Sequence, residues 1–538
     1  MFRAGSARLA ALIALLIAGL GGAALLKGGL HVSQHEGDML HLADIVLRLA
    51  AGDRLHREVT TPLGGLAFAP IVLFVKAGAG LGMAVLWAQL LAAVALAPAL
   101  WWIGRSRLSP PLAGLLAVLV LVHVLALVHG EAEAALSISM HYNRWAWALT
   151  FVAAVAALVP PRAGRGHADG VIVGLAVAGL ALIKVTYVLA FAPPVVLALW
   201  LTGQRRALAV AVATGLALVA GLTPWLGIGH WTGYVADLAA VAASEARPQP
   251  GLPLRDIVTA PLYLGGSLAA LAVVVALRRA GVTTGGLLVL LFLPGFVYVT
   301  YQNYGNDPQW LPLLGLLVLA YLPQAADGEA ASGLSHRAVL GGLAAILFAM
   351  AAPSVVNLAI SPIRHLTTPA EEYTPVFPRS ARHDDLLGVT ERLARALAMR
   401  PLEIEAPGYP TEPVEPATFA GEVLPECALS GGMVATFAAI ARDLEAAGQG
   451  GRPLFAADVL MPLWLFGDVG RLPGAAAWHY GGLPGYAAAE LVLIPLCPVV
   501  PERRAEIVAS IAARGTDELT ELRRTPLYLL YAKDVTTR

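Results

Sequence analysis

The chain has 538 residues, of which 58% are hydrophobic and 13% charged, and its mean hydropathy is +0.70. A soluble globular protein carries roughly a quarter charged residues, so this composition excludes that class. The formal net charge is zero, which leaves no electrostatic footprint for nucleic acid.

Apolar runs of about 17–25 residues mark transmembrane helices. They predict spans at about 9–27, 82–103, 109–129, 145–160, 170–183, 187–202, 207–228, 258–277, 282–300, 310–323 and 337–356. Residues 9–26 look like a secretory signal, but many spans follow and there is no small-residue cleavage site, so they read as the first span. Residues 62–78 (PLGGLAFAPIVLFVKAG) are apolar but barely long enough to cross. Arg and Lys concentrate in short cytoplasmic loops. With the N-terminus inside and 62–78 juxtamembrane or re-entrant, the inner connections hold Arg105/Arg107, Arg162/Arg165, Arg205/Arg206, Arg278/Arg279 and Arg337. If 62–78 crosses, these arginines fall outside, so the first arrangement is preferred. It predicts eleven spans and an external C-terminus.

This orientation gathers the polar clusters at one membrane face. After the first span, residues 33–65 (SQHEGDMLHLADIVLRLAAGDRLHREVTTPLGG) concentrate acidic groups and three histidines. Apolar residues from Met39 to Ala50 are spaced for an amphipathic helix lying along the membrane. Asp38 stands where it would N-cap that helix, and Glu36 is near enough in the chain to share its site. GEAEAALSISMHYNR (130–144), IKVTY (183–187), 229–251 and TYQNYGNDPQW (300–310) occupy the same face. Arg144 and Lys184 sit at span ends, where basic side chains commonly snorkel. Trp145 and Trp147 suit an interfacial belt, which leaves His141 and Asn143 unexplained. Tyr301, Asn303, Asn306, Asp307 and Gln309 read either as a tight polar turn or as a sugar-binding rim. His31, His35 and His41 with Glu36 and Asp38 offer donors for a divalent metal. No zinc spacing fits cleanly, however, and HEGD is not HExxH, so a divalent metal is the minority reading and no other cofactor is expected.

From about residue 357 the composition turns polar and Pro-rich, reading as a linker. Helix patterns follow at 383–399, 432–447 and 502–514, and strand patterns at about 453–460, 490–496 and 526–532. Their alternation predicts a small α/β domain. It holds both cysteines, Cys427 and Cys497, compatible either with a disulfide or with two buried thiols. Asp458 and His479 stand out within its apolar segments. The fold class is therefore mainly α: a polytopic membrane helix bundle over 1–356 and a C-terminal extracytoplasmic α/β domain over 357–538.

The start of the chain resembles the GT-C superfamily of polytopic glycosyltransferases. The resemblance lies in the acidic stretch after a first span, the helix ending in AAGD, and then HREVTTPLGGLAFAPIVLFVKAGAG. It is specific only over 36–76 and loose over about 35–300. Asp38 matches the family's acidic residue, Glu58 stands where Asp is usual, and Phe74 and Lys76 flank Val75 where the family has a Phe-Lys pair. The resemblance implies sugar transfer, with inversion, from a polyprenyl-phosphate donor to a glycan, lipid or protein acceptor at the outer face of a bacterial inner membrane. It also implies Asp38 as general base, with Glu36 as alternative, and Arg144 and Lys184 as candidates for the departing phosphate. His141, Asn143, Tyr187, Glu58 and the 301–309 group would then bind substrate. No Walker A, Rossmann, CxxC or GxSxG motif is present. The competing readings are a transporter or flippase of lipid-linked sugars, and a glycan polymerase or ligase.

Overall fold

The computed structural model describes residues 2–162, 166–244, 252–303, 306–330, 333–401 and 416–534. Arg165, residues 245–251 and positions 304 and 305, all part of the sequence-based topology and rim, lie outside the described residues. The chain is mainly helical. Seven helices are long and apolar enough to cross a membrane: Gly5–Leu26, Leu81–Arg107, Gly166–Ile183, Arg205–Leu226, Pro261–Arg279, Thr283–Gln302 and His336–Thr367. Pro110–Leu125, Val185–Leu201 and Trp310–Gln324 are shorter apolar helices. His141–Leu158 is apolar after a polar first turn. Every segment read as spanning is thus helical. The ambiguous 62–78 is broken into a 3-10 turn, Gly65–Ala67, and a helix, Ala69–Lys76. At 1.5 Å per residue that helix reaches ~12 Å, under half of a bilayer core.

Small residues set the helix spacing. A Cβ added at Gly170 would stand 2.5 Å from the Ala207 carbonyl oxygen, and one at Gly174 2.5 Å from that of Ala211. This small-xxx-small stripe lets Gly166–Ile183 and Arg205–Leu226 approach backbone to backbone.

The C-terminal part is built on a four-stranded sheet in the order Leu519–Arg524, Tyr528–Lys533, Leu491–Pro495, Leu454–Ala456. Its last pair is parallel and the others antiparallel. Helices Met433–Ala446 and Pro501–Ala512 accompany it. Phe455, Val492, Ile494, Ile507, Ile511 and Leu529 form its core. The strand Leu519–Arg524 was not foreseen, because its sequence LTELRR carries no apolar alternation. Cys427 and Cys497 form a disulfide with Cα atoms 4.7 Å apart.

Three expectations need correction. The predicted helix over 383–399 is instead a strand, Leu386–Val389, a short helix, Thr390–Ala394, and a strand, Leu397–Met399. Long-range pairing overrides local propensity here: Leu386–Val389 runs parallel to Leu30–Val32 and antiparallel to Tyr373–Pro375. The last long helix continues to Thr367, so the expected linker begins later and already enters a strand at Tyr373. Finally, the helix Glu36–Ala50 does not lie along a surface. Every residue from Met39 to Arg48 is buried. Its C-terminal half is fastened to the C-terminal part: Trp464 donates its indole N–H to Asp44 (2.6 Å), and Arg48 donates to the Leu472 carbonyl (3.0 Å). A second parallel pairing, Val59–Thr60 with Ala475–Ala476, closes the same seam.

Candidate functional site

The helix Glu36–Ala50 starts abruptly. His35 takes a left-handed backbone, φ 61°, and supplies no side-chain cap. Asp38 therefore lies in the first turn rather than at the N-cap. Residues two apart on a helix point roughly 200° from one another, so Glu36 and Asp38 part company. The Glu36 carboxylate accepts from the Val434 N–H (2.7 Å), at the start of Met433–Ala446. Burial pushes its pKa up, against the backbone donors of Val434, Met433 and Gly432. Glu36 is thus an interdomain helix cap, and it shares no site with Asp38.

Asp38 faces the other way. It accepts the Ser139 hydroxyl. It also borders a small cavity lined by His41, Leu42, Leu63, Phe68, Ile138, Met140, His141 and Tyr142. The loop that brings Ser139 is pinned to the chain before the helix. The Ser33 N–H donates to the Leu136 carbonyl (2.8 Å), the Leu136 N–H donates to the Ser33 Oγ (2.9 Å), and His35 Nδ1 pairs with the Ser137 Oγ (3.0 Å).

Across Tyr142 lies a cation. Lys184 interrupts two helices, Gly166–Ile183 and Val185–Leu201, and its Nζ lies 5.5 Å from the Tyr142 ring centroid. The ammonium also donates to Asn143 Oδ1 (3.2 Å) and to Asn303 Oδ1. Asn143 Nδ2 reaches Asn303 Oδ1 (3.1 Å) and Asn306 Oδ1 (3.4 Å), and the Tyr187 hydroxyl donates to the Asn143 carbonyl (3.4 Å). Asn306 Nδ2 lies 3.1 Å from the His129 ring nitrogens. Asp38, Asn143, Lys184, Tyr187, Asn303 and Asn306, scattered over the sequence, are thus brought into one polar region.

Other expected site residues do different work. Arg144 is fully buried and donates to the carbonyls of Ala126 (3.1 Å), Val128 (2.5 Å) and Ser139 (3.1 Å). It caps the end of Pro110–Leu125 and shapes the Ser139 loop, so its donors are not aimed at a phosphate. Gln309 is likewise a bolt: it donates to the Gly130 carbonyl (2.6 Å) and the Ser354 Oγ (2.9 Å) and pairs with His123 (3.0 Å). Asp307 is half-buried, its pKa raised by burial and by Glu131. His141 borders the Asp38 cavity while its Nε2 pairs with the Ala67 carbonyl (2.9 Å). Tyr301 is half-buried in the last turn of Thr283–Gln302. Glu58 is held by Arg54 (2.6 Å) in an ion pair that lowers its pKa, away from this network. In the C-terminal part, Asp458 accepts from the N–H groups of Val459 (2.7 Å), Val499 (2.6 Å) and Val500 (3.2 Å), and burial pushes its pKa up to about 7. His479 pairs with the Gly482 carbonyl (3.0 Å). Both line a second cavity together with Asp44 and Arg48.

The expected histidine cluster does not assemble. His31 meets His365 and Tyr373 edge-on, and His41 packs against Trp478. His35 meets His129 and Glu131 instead, residues the sequence reading had not joined to it. A second unforeseen cluster lies behind the helix: His56 Nδ1 pairs with Asp237 (2.8 Å) between the rings of Tyr234 and His230. Neither carries a spacing motif, because each is assembled from segments about 100 residues or more apart. No known family model, characterised protein or solved structure matches the chain.

Proposed function

We propose that the protein is a GT-C-like membrane glycosyltransferase that moves a sugar from a polyprenyl-phosphate carrier to an acceptor hydroxyl, with Asp38 as general base. The observation that carries this reading is a half-buried carboxylate and a cation gathered at one aromatic residue among apolar helices: Asp38 lines the same cavity as Tyr142, and Lys184 lies over the Tyr142 ring. The acceptor oxygen attacks the anomeric carbon from the face opposite the phosphate, and the configuration inverts. Asp38 takes the hydroxyl proton. The carbon–oxygen bond to phosphate breaks, and Lys184 meets the charge that develops on the leaving group. Asn143, Asn303 and Asn306 supply amide donors and acceptors of the kind that recognise sugar hydroxyls.

In this reading the eleven apolar helices cross the inner membrane of a bacterium, and the chain beyond residue 367 covers the site from the periplasm. The Arg-bearing connections face the cytoplasm. Labelling of a cysteine placed at 106 or 204 from outside intact cells would contradict that orientation. The chemistry is tested with Asp38→Asn in purified protein. The variant is expected to bind a polyprenyl-phosphate sugar and to fail to transfer it. A variant that still transfers sugar at a normal rate would remove Asp38 as base. A wild-type protein that moves the lipid-linked sugar across vesicles without consuming it would replace transfer by transport.

A further inference from the structure

We propose that His35, His129 and Glu131 form a binding site for a divalent transition-metal ion, with zinc the best fit. One donor atom from each lies within 4.8 Å of the other two, and among the described residues this is the group of three such donors that comes together. Two imidazoles and one carboxylate are a ligand set of catalytic zinc, which leaves a fourth position open.

The surroundings favour a built site over a chance approach. The imidazoles of His35 and His129 stack with centroids 4.6 Å apart and planes 28° from parallel. Glu131 lies 3.5 Å from His129 Nδ1, close enough for its charge to answer a cation between them. His35 Nδ1 is already engaged by the Ser137 Oγ at 3.0 Å. Metal-bound histidines characteristically make such a bond with the nitrogen that does not face the ion, which fixes the ring and leaves Nε2 as the ligand. The His35 backbone is also held at φ 61°, a conformation uncommon for a non-glycine residue. It aims the ring across the loop rather than along the helix. That loop is itself rigid, because Arg144 grips the carbonyls on both sides of it, at Ala126, Val128 and Ser139. His129 is buried, while His35 and Glu131 are half-buried, so the trio is not a solvated surface cluster.

The position also suits a role in the site. His35 and Asp38 are joined to the same short loop, His35 through Ser137 and Asp38 through Ser139. An ion there would add positive charge beside the carboxylate, where a lipid phosphate would bind. That role rests on the glycosyl-transfer reading; the binding of the ion does not.

The test uses the full chain, purified in detergent with its affinity tag removed. Metal content is measured as isolated, and again after chelation and titration with zinc against a competing chelator. One equivalent per chain is expected, and cobalt substituted at the site should show visible bands of low-coordinate geometry. His129→Ala and Glu131→Gln should each weaken zinc binding more than the roughly 10–100-fold typical of losing a partner outside the ligand set. His31→Ala, on a histidine outside the trio, should leave it unchanged. Glu131→Gln is half-exposed and serves as the second variant should His129→Ala fail to fold. Binding below one equivalent in the wild type, or equal binding by wild type and both trio variants, would overturn the site. Sugar transfer is followed in parallel on the chelated protein. Transfer that survives chelation while zinc still rebinds to one equivalent supports the site and confines the ion to a structural role. Loss of transfer without stoichiometric zinc counts against the metal and leaves the transfer reading standing.

Discussion

The two ends of the helix bundle use polar side chains in opposite ways. At the arginine-bearing end, the contacts are local and rigid. Arg107 is buried and bonds Asp169 (2.8 Å) and the Ala156 carbonyl (3.1 Å), while Trp102 donates to the same carboxylate (2.8 Å). Gln204 closes the Ala157 carbonyl (3.2 Å), and Arg105 and Arg205 lie 4.5 and 4.9 Å from the ring centroids of Trp101 and Trp200. These contacts rivet helix ends together. At the opposite end, Asp38 rests on a serine hydroxyl and Lys184 donates to amide oxygens, in a network assembled from several distant segments. Opposite charges held apart by neutral groups are poor staples. They suit an end where a ligand bearing hydroxyls and phosphate completes the pairing.

Mutations at the two ends are expected to separate activity from stability. The largest effect belongs to Asp38→Asn. Removing a general base costs roughly 10²–10⁴-fold in rate, while melting temperature should barely move, since the side chain's partner is one hydroxyl. Arg107→Leu should do the reverse. It strands Asp169 without its buried partner, an uncompensated charge worth about 3–5 kcal/mol of stability, and turnover per folded molecule should hold. Detergent-solubilised protein assayed for both rate and thermal unfolding distinguishes the two patterns. A rate loss in Arg107→Leu matching that of Asp38→Asn would erase the contrast.

Next in size is the disulfide. Cys427 and Cys497 are 70 residues apart in sequence, and a bridge closing a loop of that length contributes about 2–4 kcal/mol. Replacing both with serine should lower the unfolding temperature of the C-terminal part. The bundle should keep its own transition, because the cysteines lie outside the seam that joins the two. A single shared transition shifted by the same amount would instead mean that bundle and C-terminal part unfold as one.

What could be read in the sequence follows from which forces are local. Each proposed span is a long apolar run whose helix is dictated by burial and backbone satisfaction, and each is found as a helix. The strands Leu454–Ala456, Leu491–Pro495 and Tyr528–Lys533 were legible for the same reason, being short apolar runs between turn residues. Leu386–Val389 was not, because one of its two partners, Leu30–Val32, lies more than 350 residues upstream and the surrounding 383–399 segment carries a helical pattern. In the site, residue types that are costly near a membrane, such as Asp38, Asn143 and Lys184, signalled themselves. Direction did not: Arg144 looked like a phosphate ligand and is a carbonyl clamp. The partnership of His35 with His129 and Glu131 has no signature in spacing at all.

The smallest expected effect sharpens the comparison most, because it concerns the carboxylate two positions from the proposed base. Glu36 and Asp38 are both acidic, both half-buried and two positions apart, yet one caps a helix of the C-terminal part and the other faces the cavity. Glu36→Gln keeps an oxygen for the Val434 N–H and loses only the charge. Burial raises the Glu36 pKa in spite of its backbone donors, so the folded state holds its proton to a higher pH than the unfolded chain. Stability from this group therefore falls as pH rises from the ordinary carboxylate value, 4.5, through the raised one, and is flat above it. Gln mimics the protonated form and removes that decline. Near neutral pH the change should be within about 1 kcal/mol, with transfer intact, and the difference between wild type and variant should vanish or reverse below pH 4.5. Unfolding midpoints measured from pH 4 to 8 test this directly. Should Glu36→Gln abolish transfer while Asp38→Asn preserves it, the base is Glu36, and the separation of the two carboxylates on opposite sides of the helix would have been assigned the wrong way round.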